Sequence, residues 1–221
     1  MKKYAISDIH GCAKTFKALV AKINLSKADE LYILGDYIDR GPDSKGVIDY
    51  IWQLQEEGFQ VKCSLGNHEA MLLEELRTQE PLYRGRPEIL KSFGVEHIQD
   101  IPKKYTEWMK YLHVYFEVDE YILVHAGLNF KSNNPLQQLQ DMIWIRKWYD
   151  DINRDWLGDR IIIHGHTPMK LIDVLNARAN LEEMRVMNID NGCCFDREGL
   201  GSLCCFEMTE RKIHFKERID F

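Results

Sequence analysis

Short runs of acidic, histidine and glycine residues recur along this sequence where predicted strands end. Carboxylate oxygen and imidazole nitrogen are ligands for divalent ions such as manganese, iron and zinc. Glycine beside them allows tight turns and close approach of the backbone. Five such runs can converge on one metal centre: Ser7-Asp8-Ile9-His10-Gly11, Gly35-Asp36-Tyr37-Ile38-Asp39-Arg40-Gly41, Gly66-Asn67-His68-Glu69, His125-Ala126-Gly127 and His164-Gly165-His166-Thr167.

The spacing within the first two runs suits a pair of metal ions and a phosphate group. Asp8 and His10 are two residues apart, so they point the same way on an extended segment. A carboxylate such as Asp36 can bridge two ions, and two ions roughly 3.5–4 Å apart can hold a hydroxide and a phosphoryl oxygen for in-line displacement. Arg40 is the nearest cation in the sequence, and a guanidinium can donate two hydrogen bonds to phosphate.

The leaving oxygen of such a reaction needs a proton. His68 is suited to supply it, and a carboxylate such as Asp39 would orient the imidazole and raise its pKa. Taken singly, these residues have ordinary explanations as well. An aspartate after a strand often caps a helix, and Asp39 with Arg40 can form a surface ion pair.

Other residues near these runs leave two readings open. Glu69 is either catalytic or a first-turn acid favoured by the helix dipole. His164 either touches the ligands of the site or packs in the interior. Asp190-Asn191-Gly192 is read as an ordinary turn and is left out of the site.

The first part of the chain alternates between predicted strands and predicted helices. Strands are predicted at 2–6, 31–34 and 61–64, and helices at 13–24, 44–57 and 68–78. This order favours parallel strands with helical crossovers. In open α/β sheets, ligands bind beyond the carboxyl ends of the strands, where the polar runs lie.

Strands dominate the second part of the chain. They are predicted at 114–118, 121–125, 160–163, 171–174, 185–189, 202–207 and 211–216, with a helix at 136–149. The middle, about 80–112, is expected to be helical and irregular, with a loop at Arg84-Gly85-Arg86-Pro87. We predict an α/β fold with two packed sheets and helices outside, forming a single domain over residues 1–221.

The amino-acid composition favours some kinds of protein and excludes others. The chain has 221 residues, 45% apolar and 29% charged, which is typical of a globular protein. A net charge of −6 makes it a poor non-specific binder of nucleic acid or anionic membranes. No apolar run approaches the roughly 18 residues of a membrane span, and the first apolar stretch ends too soon for a signal peptide. We therefore expect a cytoplasmic protein.

Six cysteines are expected to pack as reduced thiols, because none forms a CxxC pair. They are Cys12, Cys63, Cys193, Cys194, Cys204 and Cys205. Each of the two adjacent pairs is expected to place one thiol on either face of a strand.

The set DxHG, GDxxDRG, GNHE, HAG and GH, in this order, resembles the PPP family of metallophosphatases. That family includes serine/threonine phosphoprotein phosphatases and the lambda phage phosphatase. The resemblance runs from residue 4 to about 210. It implies a calcineurin-like metallophosphoesterase fold, a two-sheet β-sandwich flanked by helices, with two divalent metal ions. Mn²⁺ is the expected metal, with Fe or Zn as alternatives.

The resemblance also implies a role for each matching residue. The first metal would be held by Asp8, His10 and Asp36. The second would be held by Asp36, Asn67, His125 and His166, with Asp36 bridging. His68 would be the general acid, paired with Asp39. Substrate phosphate would be bound by Arg40, Asn67 and Arg146; as an alternative, Arg146 lies on a solvated helix face.

The implied activity is hydrolysis of phosphoserine or phosphothreonine in proteins by direct attack of metal-bound hydroxide, with phosphotyrosine also open. A phosphoprotein or phosphopeptide is therefore the expected partner. The HGHT form resembles bacterial and phage members more than eukaryotic catalytic subunits. The sequence has no readable code for oligomeric state or for the loops expected to set specificity, at 80–105 and 128–140.

Two alternatives stay open. Bacterial diadenosine tetraphosphatases resemble this chain too, but their second motif lacks the aspartate seen here as Asp39, and their third ends in aspartate rather than Glu69. Both differences favour the phosphoprotein substrate. A binding protein without catalysis should have lost a metal ligand or the general acid. This chain keeps all six implied ligands and the His68–Asp39 pair.

Overall fold

Two β-sheets form the framework of the molecule. The computed structural model describes residues 1–80, 82 and 86–221. The first sheet contains β1 (Lys3–Ile6), β2 (Glu30–Ile33), β3 (Gln60–Cys63), β8 (Ser202–Glu207) and β9 (Lys212–Glu217), in the order β3-β2-β1-β8-β9. The second contains β4 (Tyr115–Val118), β5 (Tyr121–Val124), β6 (Ile161–His164) and β7 (Val186–Asn188), in that order.

Both sheets contain parallel strands whose carboxyl ends lie at the same edge. In the first sheet β1 and β2 are parallel, with Ile6 opposite Ile33, and β2 and β3 are parallel, with Ile33 opposite Cys63. The predicted β-α-β-α-β order is therefore confirmed. In the second sheet β5, β6 and β7 are parallel, and β4 runs antiparallel to β5. The antiparallel strands β8 and β9 complete the first sheet.

Helices cover the outer faces of the sheets. They are α1 (Ala13–Lys22), α2 (Ser44–Glu56), α3 (Asn67–Thr78), α4 (Pro87–Phe93), α5 (Lys103–Lys110), α6 (Leu139–Trp144), α7 (Arg154–Leu157), α8 (Leu171–Ala179) and α9 (Leu181–Met184). Helix α1 buries Phe16, Leu19 and Val20, which share one helical face. That face joins the same apolar cluster as Ile6 and Ile33 of the first sheet.

A second apolar cluster lies between the sheets. It joins Ala5 and Tyr32 of the first sheet to Leu123, Ile163 and Met187 of the second. A third cluster lies on the other face of the second sheet and includes the buried Trp148. The predicted two-sheet sandwich with helices outside is confirmed.

Two predicted elements in the second part of the chain are wrong. The strand predicted at 171–174 is the start of helix α8. Leu171, Val174 and Ala177 recur every three residues and face the core together, which is helical spacing rather than alternation. The helix predicted at 136–149 ends at Trp144, because the next residue is extended.

One predicted loop needs correction, and the middle of the chain is helical and irregular as expected. The loop predicted at 84–87 ends at Arg86, since Pro87 begins α4; Arg84 and Gly85 lie outside the described residues. The described part of 80–112 contains α4 and α5, and the role of this segment in specificity stays a prediction. Among the described helices, none has the length and apolar character needed to span a membrane.

All six cysteines are free thiols. Cys204 and Cys205 lie on opposite faces of β8, as predicted, and pack into different apolar clusters. The expectation for Cys193 and Cys194 is wrong, because they lie in a turn after β7. The backbone reverses there at Gly192, whose φ of +62° suits glycine.

Candidate active site

The predicted site residues follow the carboxyl ends of strands in both sheets, and the fold brings these ends together. Asp8 follows β1, whereas His125 and His166 follow β5 and β6. The Nδ1–H of His125 donates to the carbonyl oxygen of Leu34, directly after β2 of the first sheet, at 2.7 Å. The backbone N–H of His166 donates to Oδ2 of Asp8 at 2.9 Å. These contacts cross from one sheet to the other and place the runs in one site.

Two buried groups of side chains in the described part of the chain have the arrangement of metal ligands. One contains His10, Asp36 and His68, and the other contains Asp36, His125 and His166. In each group the potential ligand atoms lie within 4.8 Å of one another. Asp36 belongs to both groups, which is the position expected of a bridging carboxylate.

The orientation of the histidine rings fits a cation. His10 and His125 direct Nδ1 at carbonyl oxygens, at 2.9 and 2.7 Å. A carbonyl can only accept, so Nδ1 carries the hydrogen and each Nε2 presents a lone pair to the site. His10 Nε2 is 3.4 Å from Asp36 Oδ2, and His125 Nε2 is 3.0 Å from Asn67 Oδ1. His125 Nε2 and Asn67 Oδ1 face one another without a hydrogen, which is the arrangement of two ligands of one positive ion. These residues therefore fit a divalent metal.

Asp8 lies beside these groups but belongs to neither of them. Burial, and after it the negative charge of Asp8, raises the pKa of Asp36 well above the usual range of a carboxyl group. The same two causes raise the pKa of Asp190, which follows β7 and is 3% exposed. The structure thus brings Asp190 to the edge of the site, although the sequence reading treated it as a turn. Its position after a buried strand was the signal that could have found it.

The backbone at the site is held in an unusual conformation. Six non-glycine residues of the motifs have positive φ, between 45° and 71°: Asp8, His10, Asp36, Asp39, Arg40 and His166. Positive φ is uncommon outside glycine and concentrates at functional sites, where surrounding structure compensates for its cost.

Two glycines allow the close approach that the site requires. A Cβ atom on Gly66 would lie 2.3 Å from Oδ1 of Asp36, and one on Gly165 would lie 2.0 Å from Oδ2 of Asp8. Any larger residue at either position would push a carboxylate of the site out of place.

Asp39 and His68 form the pair that the sequence predicted. Nδ1 of His68 lies 2.7 Å from Oδ2 of Asp39, and both side chains are buried. The buried Arg86 also donates to Oδ2 of Asp39, and its guanidinium bonds Glu75 as well. Sequence reasoning missed Arg86, because it lies 47 residues from Asp39 and within a predicted loop.

The pKa of His68 is lowered overall, although Asp39 pairs with its Nδ1. Burial, Arg40 and Arg86 lower the pKa of His68 to about 2. Arg86 neutralises the carboxylate that would otherwise stabilise an imidazolium. Arg40 lies on the other side of the ring, with Nη2 3.2 Å from Nε2 of His68.

The two arginines predicted to bind phosphate lie on different sides of the metal-ligand groups. Arg40 is half-buried and contacts His68. Arg146 is exposed and lies beyond the end of α6, where Nη1 donates to Oγ1 of Thr167 at 3.2 Å. It also approaches the carbonyl oxygen of His166 at 3.5 Å.

Glu69 is buried beneath the site and binds backbone rather than solvent. Its two carboxylate oxygens accept hydrogen bonds from the N–H groups of Asp36, Tyr37, Ile38 and Gly66, at 2.9 to 3.2 Å. Burial and the charge of Asp36 raise the pKa of Glu69 to about 8, whereas the amide donors lower it. Glu69 thus joins the loop after β2 to the N-terminus of α3.

His164 contacts Tyr149 rather than the ligand groups. Nδ1 lies 3.1 Å from the carbonyl oxygen of Gly165, and Nε2 lies 2.6 Å from the Tyr149 hydroxyl. The carbonyl fixes the hydrogen on Nδ1, so the tyrosine hydroxyl donates to Nε2.

Comparison with known proteins places this arrangement among enzymes that cleave phosphate esters. A family model described as calcineurin-like phosphoesterase matches residues 1–200. A symmetrical bis(5'-nucleosyl)-tetraphosphatase of Nitrosospira multiformis is 30% identical over 229 aligned positions, which cover 96% of this chain and 78% of that protein.

Two solved structures share the fold at low sequence identity. One is described as a candidate diadenosine tetraphosphatase, with a TM-score of 0.70 and 19% identity over 100% of this chain and 95% of that one. The other is a protein serine/threonine phosphatase of Saccharomyces cerevisiae, with a TM-score of 0.68 and 16% identity over 100% of this chain and 81% of that one.

Proposed function

The chain belongs to the calcineurin-like phosphoesterase family, and from this premise we propose that it hydrolyses dinucleoside tetraphosphates. The family makes it a metallophosphoesterase; the substrate is our proposal. The observation that carries it is the 30% identity, over 96% of the chain, to a symmetrical bis(5'-nucleosyl)-tetraphosphatase. Symmetrical cleavage of a tetraphosphate bridge yields two nucleoside diphosphates.

The preference for phosphoproteins that the sequence suggested depended on Asp39 and Glu69. Both are buried, at 1% and 0% exposure. Asp39 contacts His68 and Arg86, and Glu69 binds four backbone amides. Neither side chain faces the open cleft, so neither reports on what the cleft accepts. Glu69 therefore does not argue against the nucleotide substrate, and Asp39 bears on the substrate only through its pairing with His68.

We propose the ligand roles that the motifs implied, and we keep His68 as the proton donor, although it lies in one of the two potential ligand groups. The proposed ligands are Asp8, His10, Asp36, Asn67, His125 and His166. Two divalent ions held there would supply positive charge for the phosphoryl oxygens and would lower the pKa of a bound water to about 7.

Substrate binding would change the partner of Arg40. In the described structure its guanidinium donates to Nε2 of His68, which holds that nitrogen without a hydrogen. A phosphate oxygen is a stronger acceptor than imidazole. We propose that phosphate draws Arg40 away from His68, so that Nε2 is free to take up a proton from solvent and then give it to the leaving oxygen. Arg146, on the opposite side, would hold the next phosphate of the bridge.

A second candidate is a phosphoprotein phosphatase, and the His68–Asp39 pair favours it. The alkoxide of serine or threonine is a poor leaving group that needs a proton, whereas a departing nucleoside diphosphate is a weak base. His68, whose Nδ1 lies 2.7 Å from Oδ2 of Asp39, is placed to give a proton, and the alkoxide of serine or threonine needs that proton more than a nucleoside diphosphate does.

One comparison of substrates tests the proposal. The protein loaded with Mn²⁺ is given diadenosine tetraphosphate and, separately, phosphoserine, phosphothreonine and phosphotyrosine peptides, and products are separated by chromatography. We expect ADP as the main nucleotide product and a higher kcat/KM for the dinucleotide than for any peptide. A higher kcat/KM for a phosphopeptide would instead establish the second candidate.

A further inference from the structure

A cavity of about 540 Å³ lies beside the metal-ligand groups, on the side of Arg146. Its volume is in the range of small-molecule sites, about 300–1,000 Å³. Arg146 lines this cavity and also reaches the carbonyl oxygen of His166, a proposed metal ligand. A chain of phosphates that starts at the metal position can therefore pass Arg146 and enter the cavity.

We propose that this cavity binds the nucleoside diphosphate half of the substrate that departs from the metal centre. The inference rests on the proposed function and names the residues that would select a nucleotide. The lining of the cavity includes aromatic, acidic and basic side chains. Together they match a base, a ribose and a phosphate chain.

Tyr149 supplies the aromatic surface. The residue is 41% exposed, although its hydroxyl donates to the buried His164 at 2.6 Å. Trp148 makes a T-shaped contact with the Tyr149 ring, with the two ring centroids 4.8 Å apart. A partly exposed tyrosine that is fixed at its hydroxyl offers a rigid aromatic surface for a base. Stacking of a base on an aromatic side chain is sequence-tolerant, since every base has a π face.

Charged side chains at the rim fit the rest of a nucleotide. Lys147 is exposed beside Arg146 and lines the cavity, where it can neutralise a phosphate that has passed the arginine. Asp150 lines the same cavity and is exposed. A carboxylate can accept hydrogen bonds from ribose hydroxyls, as acidic residues do in other nucleotide sites.

Binding of ADP to the Mn²⁺-loaded protein tests the cavity independently of hydrolysis. Pyrophosphate is the second ligand, because it lacks the nucleoside. We expect Tyr149→Ala to weaken ADP binding about tenfold or more, to leave pyrophosphate binding unchanged, and to leave kcat/KM for p-nitrophenyl phosphate unchanged. Tyr149→Phe keeps the ring and should retain most of the ADP affinity.

Matched variants and outcomes complete the test. Tyr111→Ala removes a tyrosine that is 81% exposed and does not line this cavity, so it should bind ADP like the wild type. Lys147→Gln should weaken ADP and pyrophosphate alike, and more at low salt. Unchanged ADP binding in Tyr149→Ala overturns the inference, as does an equal loss on p-nitrophenyl phosphate.

A different result would show that the proposed function is wrong. It would be seen as p-nitrophenyl phosphate hydrolysis by a wild type that releases no ADP from diadenosine tetraphosphate. The Tyr149 dependence of ADP binding would still decide whether the cavity takes a nucleoside diphosphate.

Discussion

At the scale of single residues, His68 and Asp36 lie in one site, yet substitution of each should impair a different property, proton transfer for His68 and metal binding for Asp36. His68 is placed to move a proton, whereas Asp36 belongs to both potential ligand groups. An asparagine amide in place of the His68 imidazole cannot act as an acid. An asparagine amide in place of the Asp36 carboxylate lacks the charge that attracts a cation.

We therefore expect His68→Asn to lower turnover by about 10²–10⁴-fold while the protein keeps most of its metal. Asp36→Asn should lose metal as well as activity. Metal content by elemental analysis, beside kcat, separates the two variants. Wild-type turnover in His68→Asn would show that another group supplies the proton.

Arg86 is a buried cation that should contribute to the stability of the fold. It donates to Asp39 and to Glu75, and all three side chains are at most 3% exposed. Removing one member of a buried ion pair leaves an uncompensated charge and costs about 3–5 kcal/mol. We expect Arg86→Met to lower the free energy of unfolding by an amount of this order.

Urea denaturation measures that change, and two variants serve as controls. Arg77→Met removes an exposed ion pair with Glu74 and should have little effect. Adding Glu75→Gln to Arg86→Met should recover part of the loss, because one of the two stranded charges is removed. If Arg86→Met and Arg77→Met cost the same, Arg86 does not stabilise the buried carboxylates.

At the scale of elements, the loop after β2 is held by the first turn of α3. Glu69 accepts four backbone N–H groups from these two segments. The sequence allowed either a catalytic role for Glu69 or a favourable interaction with the helix dipole. In the structure its carboxylate instead accepts hydrogen bonds from backbone N–H groups. The loop carries Asp36, Asp39 and Arg40, so one carboxylate positions three residues of the site.

Glu69→Gln should destabilise the protein, because the NH₂ group of the new side chain would face backbone donors and leave some of them buried without an acceptor. The expected cost is about 1–3 kcal/mol, with weaker Mn²⁺ binding as Asp36 moves. Thermal unfolding and calorimetric titration measure both. Glu88→Gln, an exposed first-turn acid of α4, is the matched control. Equal unfolding temperatures for the two variants would contradict this role.

At the scale of the whole molecule, the site is assembled from both sheets, so it exists only in the folded chain. An ion that binds the folded state alone stabilises it by about 2.7 kcal/mol when present at 100 times its Kd. Mn²⁺ should therefore raise the unfolding temperature, and a chelator should lower it again.

The affinity for Mn²⁺ should depend on pH with a definite sign. Burial and Asp8 raise the pKa of Asp36, so the metal-free protein retains a proton there that a cation must displace. The pKa of His166 is lowered to about 2, mainly by burial, so that ring is already neutral and releases none. Binding should release protons and weaken as the pH falls.

Calorimetric titration in two buffers of different ionisation enthalpy measures the proton release. We expect a larger Kd at about pH 6 than at about pH 8. Proton uptake on binding, or equal affinity at both values, would show that Asp36 is ionised in the metal-free protein.

The sequence by itself determined which residue types can hold metal and where they stand, because those features are local. Strand alternation, helical spacing and a polar run at the end of each early strand can be read over a few residues. The first three strands and three helices, and the two-sheet fold, were predicted in this way. The site residues were predicted by number, and the fold brings them to one edge; their roles stay predictions.

Only the tertiary structure decided what depends on burial and on distant partners. Arg86 meets Asp39 across 47 residues, and it helps to reverse the expected shift of the His68 pKa. The segment 171–174 is helical because Val174 and Leu171 face a core formed by other elements. From the sequence, Glu69 favoured a phosphoprotein substrate, whereas in the structure its carboxylate binds four backbone amides. Such contacts join segments far apart in sequence, so no local pattern contains them.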